Sequence, residues 1–179
     1  MKAEPSAQRR LLDLAAVDAE LSRADHRRRT LPEQAAVEEA ERTLRAAQDA
    51  VVVAQTTLSD LDRDVAKLDR EVEQVRTREV RDQQLLANGS VSAKQANDLQ
   101  HELASLERRR AVLEEEQLEV MERQEAAGVD LKHETEAHDT ARTVLADAVE
   151  RRDGVLGDID VIEFRRGEER TNQIGRAHV

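Results

Sequence analysis

From Val37 the apolar residues step alternately by three and four: Val37, Ala40, Leu44, Ala47, Val51, Ala54, Leu58, Leu61, Val65, Leu68, Val72, Val75. Glu, Asp, Arg and Gln fill the places between. This heptad seam gives an α-helix one narrow apolar stripe, and such a stripe is stable only when buried against a partner helix. A disordered chain of equal polarity would show no period. Composition points the same way: 37% of residues are charged, only 1% are aromatic, and the chain has one Phe but no Trp, Tyr or Cys. Aromatic side chains supply much of the buried area of ordinary domains. Their scarcity in a chain rich in Ala, Glu, Arg and Leu fits a long helix or coiled coil.

The pattern stops after Leu86 at Ala87-Asn88-Gly89-Ser90-Val91-Ser92. Asn-Gly is a turn dipeptide that tolerates positive φ, and Ser92 is suited to cap a new helix. A second seam follows in four-three steps from Leu99 through Leu103, Leu106, Leu113, Val120, Ala127, Leu131, Ala141, Leu145, Ala148, Val155 and Ile159 to Ile162. Polar residues hold six of its places: Arg110, Gln117, Gln124, Glu134, His138 and Arg152. Two long seams joined by so short a link meet by folding back. Residues 33–87 as one helix span about 80 Å at 1.5 Å per residue, so an equal length after the link ends near residue 147. The stretch from there to Ile162 needs another partner. Leu11, Leu14, Val17 and Leu21, at helical spacing behind Pro5 and Ser6, supply one, and Pro32 ends that first helix.

The expectation is therefore an all-α protein, a long antiparallel coiled-coil hairpin with a short N-terminal helix packed at its base. Residues 1–163 form the hairpin, with helices at about 6–29, 33–87 and 93–163. The first helix lies against the far end of the third, making a locally three-helix base.

Chemistry is sparse in this sequence. It holds no Gly-rich phosphate loop, nucleophile elbow or paired histidines at metal spacing. His133 and His138 stand about 140° apart on a helix. No catalytic residue, cofactor site or small-molecule substrate is expected, so the chain reads as a non-enzyme. No apolar run is long enough to span a bilayer, and the first residues do not lead into a secretory hydrophobic region. The expectation is a cytoplasmic location away from membranes. Polar places on the second seam leave a homodimer open, since a second chain could bury them.

Two places are candidate contact sites. Arg23, His26, Arg27, Arg28 and Arg29 close the first helix. Arginine forks suit phosphate, while cations at a helix C-terminus also answer the helix dipole and pair with nearby Glu. The second is the hairpin tip, where Asn88, Gly89, Val91 and Lys94 are expected to be exposed at the end of a rigid arm. Arg108, Arg109 and Arg110 form a further basic run, with the stem of Arg110 expected to cover apolar surface.

The order Leu12-Asp13-Leu14-Ala15-Ala16-Val17-Asp18-Ala19-Glu20-Leu21, then His26-Arg27-Arg28-Arg29-Thr30-Leu31-Pro32-Glu33, resembles the opening of bacterial zinc-ribbon proteins with a coiled-coil hairpin. The tip Gly89-Ser90-Val91-Ser92-Ala93-Lys94-Gln95, followed by Leu99-Gln100-His101-Glu102-Leu103, resembles theirs as well. The resemblance covers about residues 6–160. It implies a non-catalytic scaffold or adaptor, the stalk of a zinc-ribbon protein associated with nucleic acid or transcription factors, with protein, RNA or DNA as partner. Some relatives act as chaperones or adaptors for a sigma factor or an mRNA. A purely structural spacer or protein-interaction module is the alternative. The ribbon's four cysteines have no counterpart here, so zinc is expected only in a missing C-terminal ribbon. Residues 164–179 are expected to be a non-family tail. The last six, Ile174 to Val179, can be encoded by a run resembling a sequencing adapter, which suggests truncation into foreign sequence.

Overall fold

The computed structural model describes residues 5–175. They form three helices, α1 (Pro5–Arg29), α2 (Pro32–Ala87) and α3 (Ala93–Gly175). No strand occurs among the described residues. The all-α hairpin expected from the two seams is the fold observed. The chain divides into two compact units: a hairpin unit of Ala47–His138, and a terminal unit of residues 1–46 with 139–179.

In the hairpin unit α2 and α3 run antiparallel. The Asn88 N–H donates to the Gln84 carbonyl (3.0 Å) and the Gly89 N–H to that of Leu86 (3.4 Å). Gly89 sits at φ 63°, the left-handed region where absence of a Cβ avoids strain. Ser92 then caps α3 reciprocally with Gln95. Its Oγ accepts from the Gln95 N–H (3.3 Å), and Gln95 Oε1 accepts from the Ser92 N–H (2.9 Å), a capping box. Ser92→Ala is therefore expected to lower stability by about 0.5–2 kcal/mol, and Ser92→Asp to keep most of it. Melting followed by circular dichroism checks this, and an unchanged midpoint for Ser92→Ala would count against the cap.

Leu61, Val72, Leu113 and Ala127 are buried along this unit's seam. Three polar seam places of α3 find partners on α2. Gln117 donates to Asp69, Gln124 donates to Asp62 (2.6 Å), and Arg110 Nε lies 3.3 Å from Glu79 Oε2. Arg76–Glu114 (2.8 Å), Arg109–Glu71 (3.5 Å) and Arg78–Glu102 link the same two helices. Beyond Val75 the four-three steps of α2 continue through Glu79 and Asp82, both buried.

In the terminal unit α3 meets α2 and α1 at successive stretches. Val37 and Ala40 pack with Leu145, Ala148 and Val149, while Ala24 and Leu31 pack with Val155, Leu156 and Ile159. The expected three-helix base is thus corrected to helix pairs. Only Thr30 and Leu31 separate α1 from α2, and hydrogen bonding runs through the break: the Thr30 N–H and Oγ1 both donate to the His26 carbonyl (3.0 and 2.9 Å), and the Gln34 N–H to that of Leu31 (3.1 Å). Leu31 is buried there and, with Ala24, covers the apolar places on α3 that a third helix would need.

The expected end of the third helix near residue 163 is also corrected, because α3 runs on to Gly175. After Ile162 the same steps lead to Arg166, Glu169 and Gln173, all half-buried. Arg166 Nε reaches Glu20 Oε2 (2.5 Å), and Arg170 Nε reaches Asp18 Oδ1 (2.7 Å). Polar groups carry the pairing, so the apolar period fades while the helix continues. Val17 is buried as expected, but Leu11 is exposed. Of the six terminal residues read as adapter-like, Ile174 and Gly175 are helical, and the others lie outside the described residues.

Candidate functional site

The last turns of α1 carry Arg23, His26, Arg27, Arg28 and Arg29 on a helix whose C-terminal dipole favours cations. The structure divides them. Arg28 turns inward to α3, where its Nη2 donates to Asp160 and to Glu163 Oε2 (2.7 Å), and its Nε to Glu163 Oε1 (3.4 Å). The hydrogen bonds to Asp160 and then Glu163 raise its pKa above the usual arginine value, so its charge is permanent and already answered. Arg29 pairs with Asp25 one turn back. Arg23, His26 and Arg27 are exposed and form no ion pair among the described residues. Arg23 and Arg27, one turn apart, line a groove with Glu20, Ala24, Ile159 and Ile162. The basic cluster thus contains two cations held by structure and, in Arg23 and Arg27, two open to a ligand.

At the tip, Asn88, Gly89 and Lys94 are exposed as expected, but Val91 is half-buried. Val91 precedes the capping Ser92, and with half-buried Ala96 it occupies the positions of a hydrophobic staple. It belongs to the turn more than to a contact surface. In the other basic run Arg109 pairs with Glu71 and Arg110 with Glu79.

No group of His, Cys, Asp or Glu that could hold a metal ion occurs among the described residues. With no cysteine in the chain, these residues do not fit a zinc ribbon. No described helix is long and apolar enough to cross a membrane.

The fold and its seams agree with a family model of the CT398-like coiled coil hairpin domain, which matches residues 14–177. The chain belongs to this family. The CT398-like match runs past residue 163, across the helical stretch that the apolar pattern alone set outside the hairpin. Uncharacterized proteins from two strains of Mycobacterium tuberculosis are 41% identical over 170 residues, spanning 95% of this chain and 69% of theirs. An uncharacterized protein of Mycobacterium leprae is 36% identical over 149 residues, spanning 83% of this chain and 64% of its own length. A solved structure from Mycobacterium smegmatis is 39% identical with a TM-score of 0.83, covering 98% of this chain and 73% of that one.

Sequence reading missed Glu79 and Asp82, because the apolar steps of α2 end at Val75 and the next two places on the seam are carboxylates. It also passed over Leu118, Met121 and Val129, which are apolar yet exposed. Their signal was available: none of the three falls on a four-three step.

Proposed function

We propose that this CT398-like hairpin is a non-catalytic scaffold that works as an adaptor, holding RNA or DNA, or a transcription protein bound to it, through Arg23 and Arg27. The observation that carries this reading is the pair itself: two exposed arginines one turn apart, free of carboxylate partners, beside neighbours whose charges are answered. Guanidinium forks one turn apart can engage adjacent phosphates. The zinc-ribbon setting is part of the same proposal, with any zinc held outside this chain.

Fluorescence anisotropy with single-stranded RNA and duplex DNA across a salt series tests it. Binding should weaken as salt rises, and Arg23→Ala/Arg27→Ala should weaken it further and flatten the salt slope by about one to two. Arg28→Ala should leave affinity nearly unchanged, since that side chain is occupied by Asp160 and Glu163. Equal binding by wild type and the double variant, or none up to tens of micromolar, would overturn the phosphate contact. The spacer reading would then stand, and the engagement of Arg28 and Arg29 in ion pairs already favours it.

A further inference from the structure

Leu118, Met121 and Val129 on α3 are 63%, 45% and 65% exposed. Leu118 and Val129 stand eleven residues apart, about three helical turns, and so share one outer face with Met121 at its edge. Beside them runs a groove lined by Leu58 of α2 and by Leu118, Met121, Glu122, Gln124 and Glu125 of α3. The hydrogen bond from Gln124 to Asp62 ties the two helices at this level. Everything named lies within the hairpin unit.

The surroundings of this apolar strip are acidic. Glu115, Glu116, Glu119, Glu122 and Glu125 are exposed, and none forms an ion pair among the described residues. The one cation in that stretch, Arg123, sits about 140° round the helix from Leu118. Lys132 is engaged by Glu136. Elsewhere on this unit carboxylates face arginines, as in Arg76–Glu114 and Arg109–Glu71. Uncompensated carboxylates framing exposed apolar side chains repel nucleic acid. They also disfavour a second copy, which would bring the same glutamates to a protein already at a net charge of -11.

We propose that the Leu118–Met121–Val129 face docks a basic amphipathic helix of a partner protein. Apolar side chains at helical spacing on that partner would cover Leu118, Met121 and the edge of Leu58, and its Lys or Arg residues would meet Glu115, Glu122 and Glu125. This site is separate from Arg23 and Arg27 in both residues and charge, and it needs no phosphate contact.

The probe is a fluorescein-labelled synthetic helix of roughly 20 residues with Leu on one face and Lys on the other, compared with a scrambled peptide of identical composition. The full chain should bind the amphipathic peptide at least tenfold tighter than the scrambled one. Leu118→Ser/Met121→Ser should weaken binding tenfold or more. Val52→Ser/Val53→Ser, an exposed apolar pair on α2, should not change it. Glu122→Gln/Glu125→Gln should weaken binding and flatten its salt dependence. All substituted side chains are exposed, and helix content by circular dichroism monitors folding. Equal affinity for both peptides, or undiminished binding by Leu118→Ser/Met121→Ser, overturns the proposal. A wild-type dimer that this variant converts to monomer overturns it in favour of a second copy, and RNA binding that Leu118→Ser/Met121→Ser abolishes while Arg23→Ala/Arg27→Ala does not overturns it in favour of nucleic acid. Arg23→Ala/Arg27→Ala should leave peptide binding intact, so failure here and failure of the phosphate reading are told apart.

Discussion

Leu113→Ala is expected to lower the free energy of unfolding by about 2–5 kcal/mol, moving the thermal midpoint down by roughly 5–15 °C. Leu113 is 1% exposed, among the most fully buried side chains of the chain. It is also the apolar layer between two polar ones, Arg110 and Gln117, whose partners are Glu79 and Asp69. The register of those pairs places Leu113 opposite Val72 and Val75, and Val72 is buried too. Polar neighbours held by partners across the helix pair cannot slide in to refill the space, so cavity and transfer costs add. Leu118→Ala serves as comparison: five residues away and 63% exposed, it should shift stability by no more than about 0.5 kcal/mol. Urea titrations followed by circular dichroism measure both, and a cost below about 1 kcal/mol for Leu113→Ala would show that this layer is loosely packed.

The contrast between Leu113 and Leu118 also shows what the sequence made legible. Heptad phase alone separates them, and the same phase located both long helices and the link at residues 88–92. Gly89 and Ser92 were readable because turn and cap chemistry is local: one needs a missing Cβ, the other an oxygen three residues before a free N–H. Polar pairing was not readable. Arg166 and Gln173 continue a seam without apolar signal, and the pairing of Arg166 with Glu20 and of Arg170 with Asp18 on another helix shows only in the structure. The basic cluster illustrates the same limit: the four arginines between positions 23 and 29 look alike in sequence. The facing surface of α3, where Asp160 and Glu163 stand, decides that Arg28 is structural while Arg23 and Arg27 stay open. The CT398-like family match fits this division, since it identifies the hairpin and leaves its surface contacts to be read from geometry.

Arg110→Met is expected to destabilise the hairpin by about 2–3 kcal/mol, while Glu79→Leu/Arg110→Leu should restore or exceed wild-type stability. The Glu79 side chain is only 9% exposed, and its nearest cation is Arg110 Nε at 3.3 Å. Arg110 also approaches Glu114 at 3.9 Å, so it stands between two carboxylates. Its removal leaves the Glu79 carboxylate without a facing cation in a place where water is scarce, and breaking a fully buried pair costs about 3–5 kcal/mol. Arg110 itself is 35% exposed, so solvent screening trims that figure. The pair is not well satisfied even when intact, since Glu79 Oε1 and Arg110 Nε make no aligned hydrogen bond. Two leucines on the seam would replace that arrangement with apolar contact. Asp82, one seam step further, extends the reasoning: it is 6% exposed and its Oδ2 has no hydrogen-bond partner. Asp82→Leu should therefore raise stability, by about 1–3 kcal/mol. A double-mutant cycle over Glu79 and Arg110, with Asp82→Leu measured separately, checks all three signs. An Arg110→Met variant as stable as wild type would mean that the Glu79 carboxylate is reached by water, and the buried polar step in the seam would lose its energetic role.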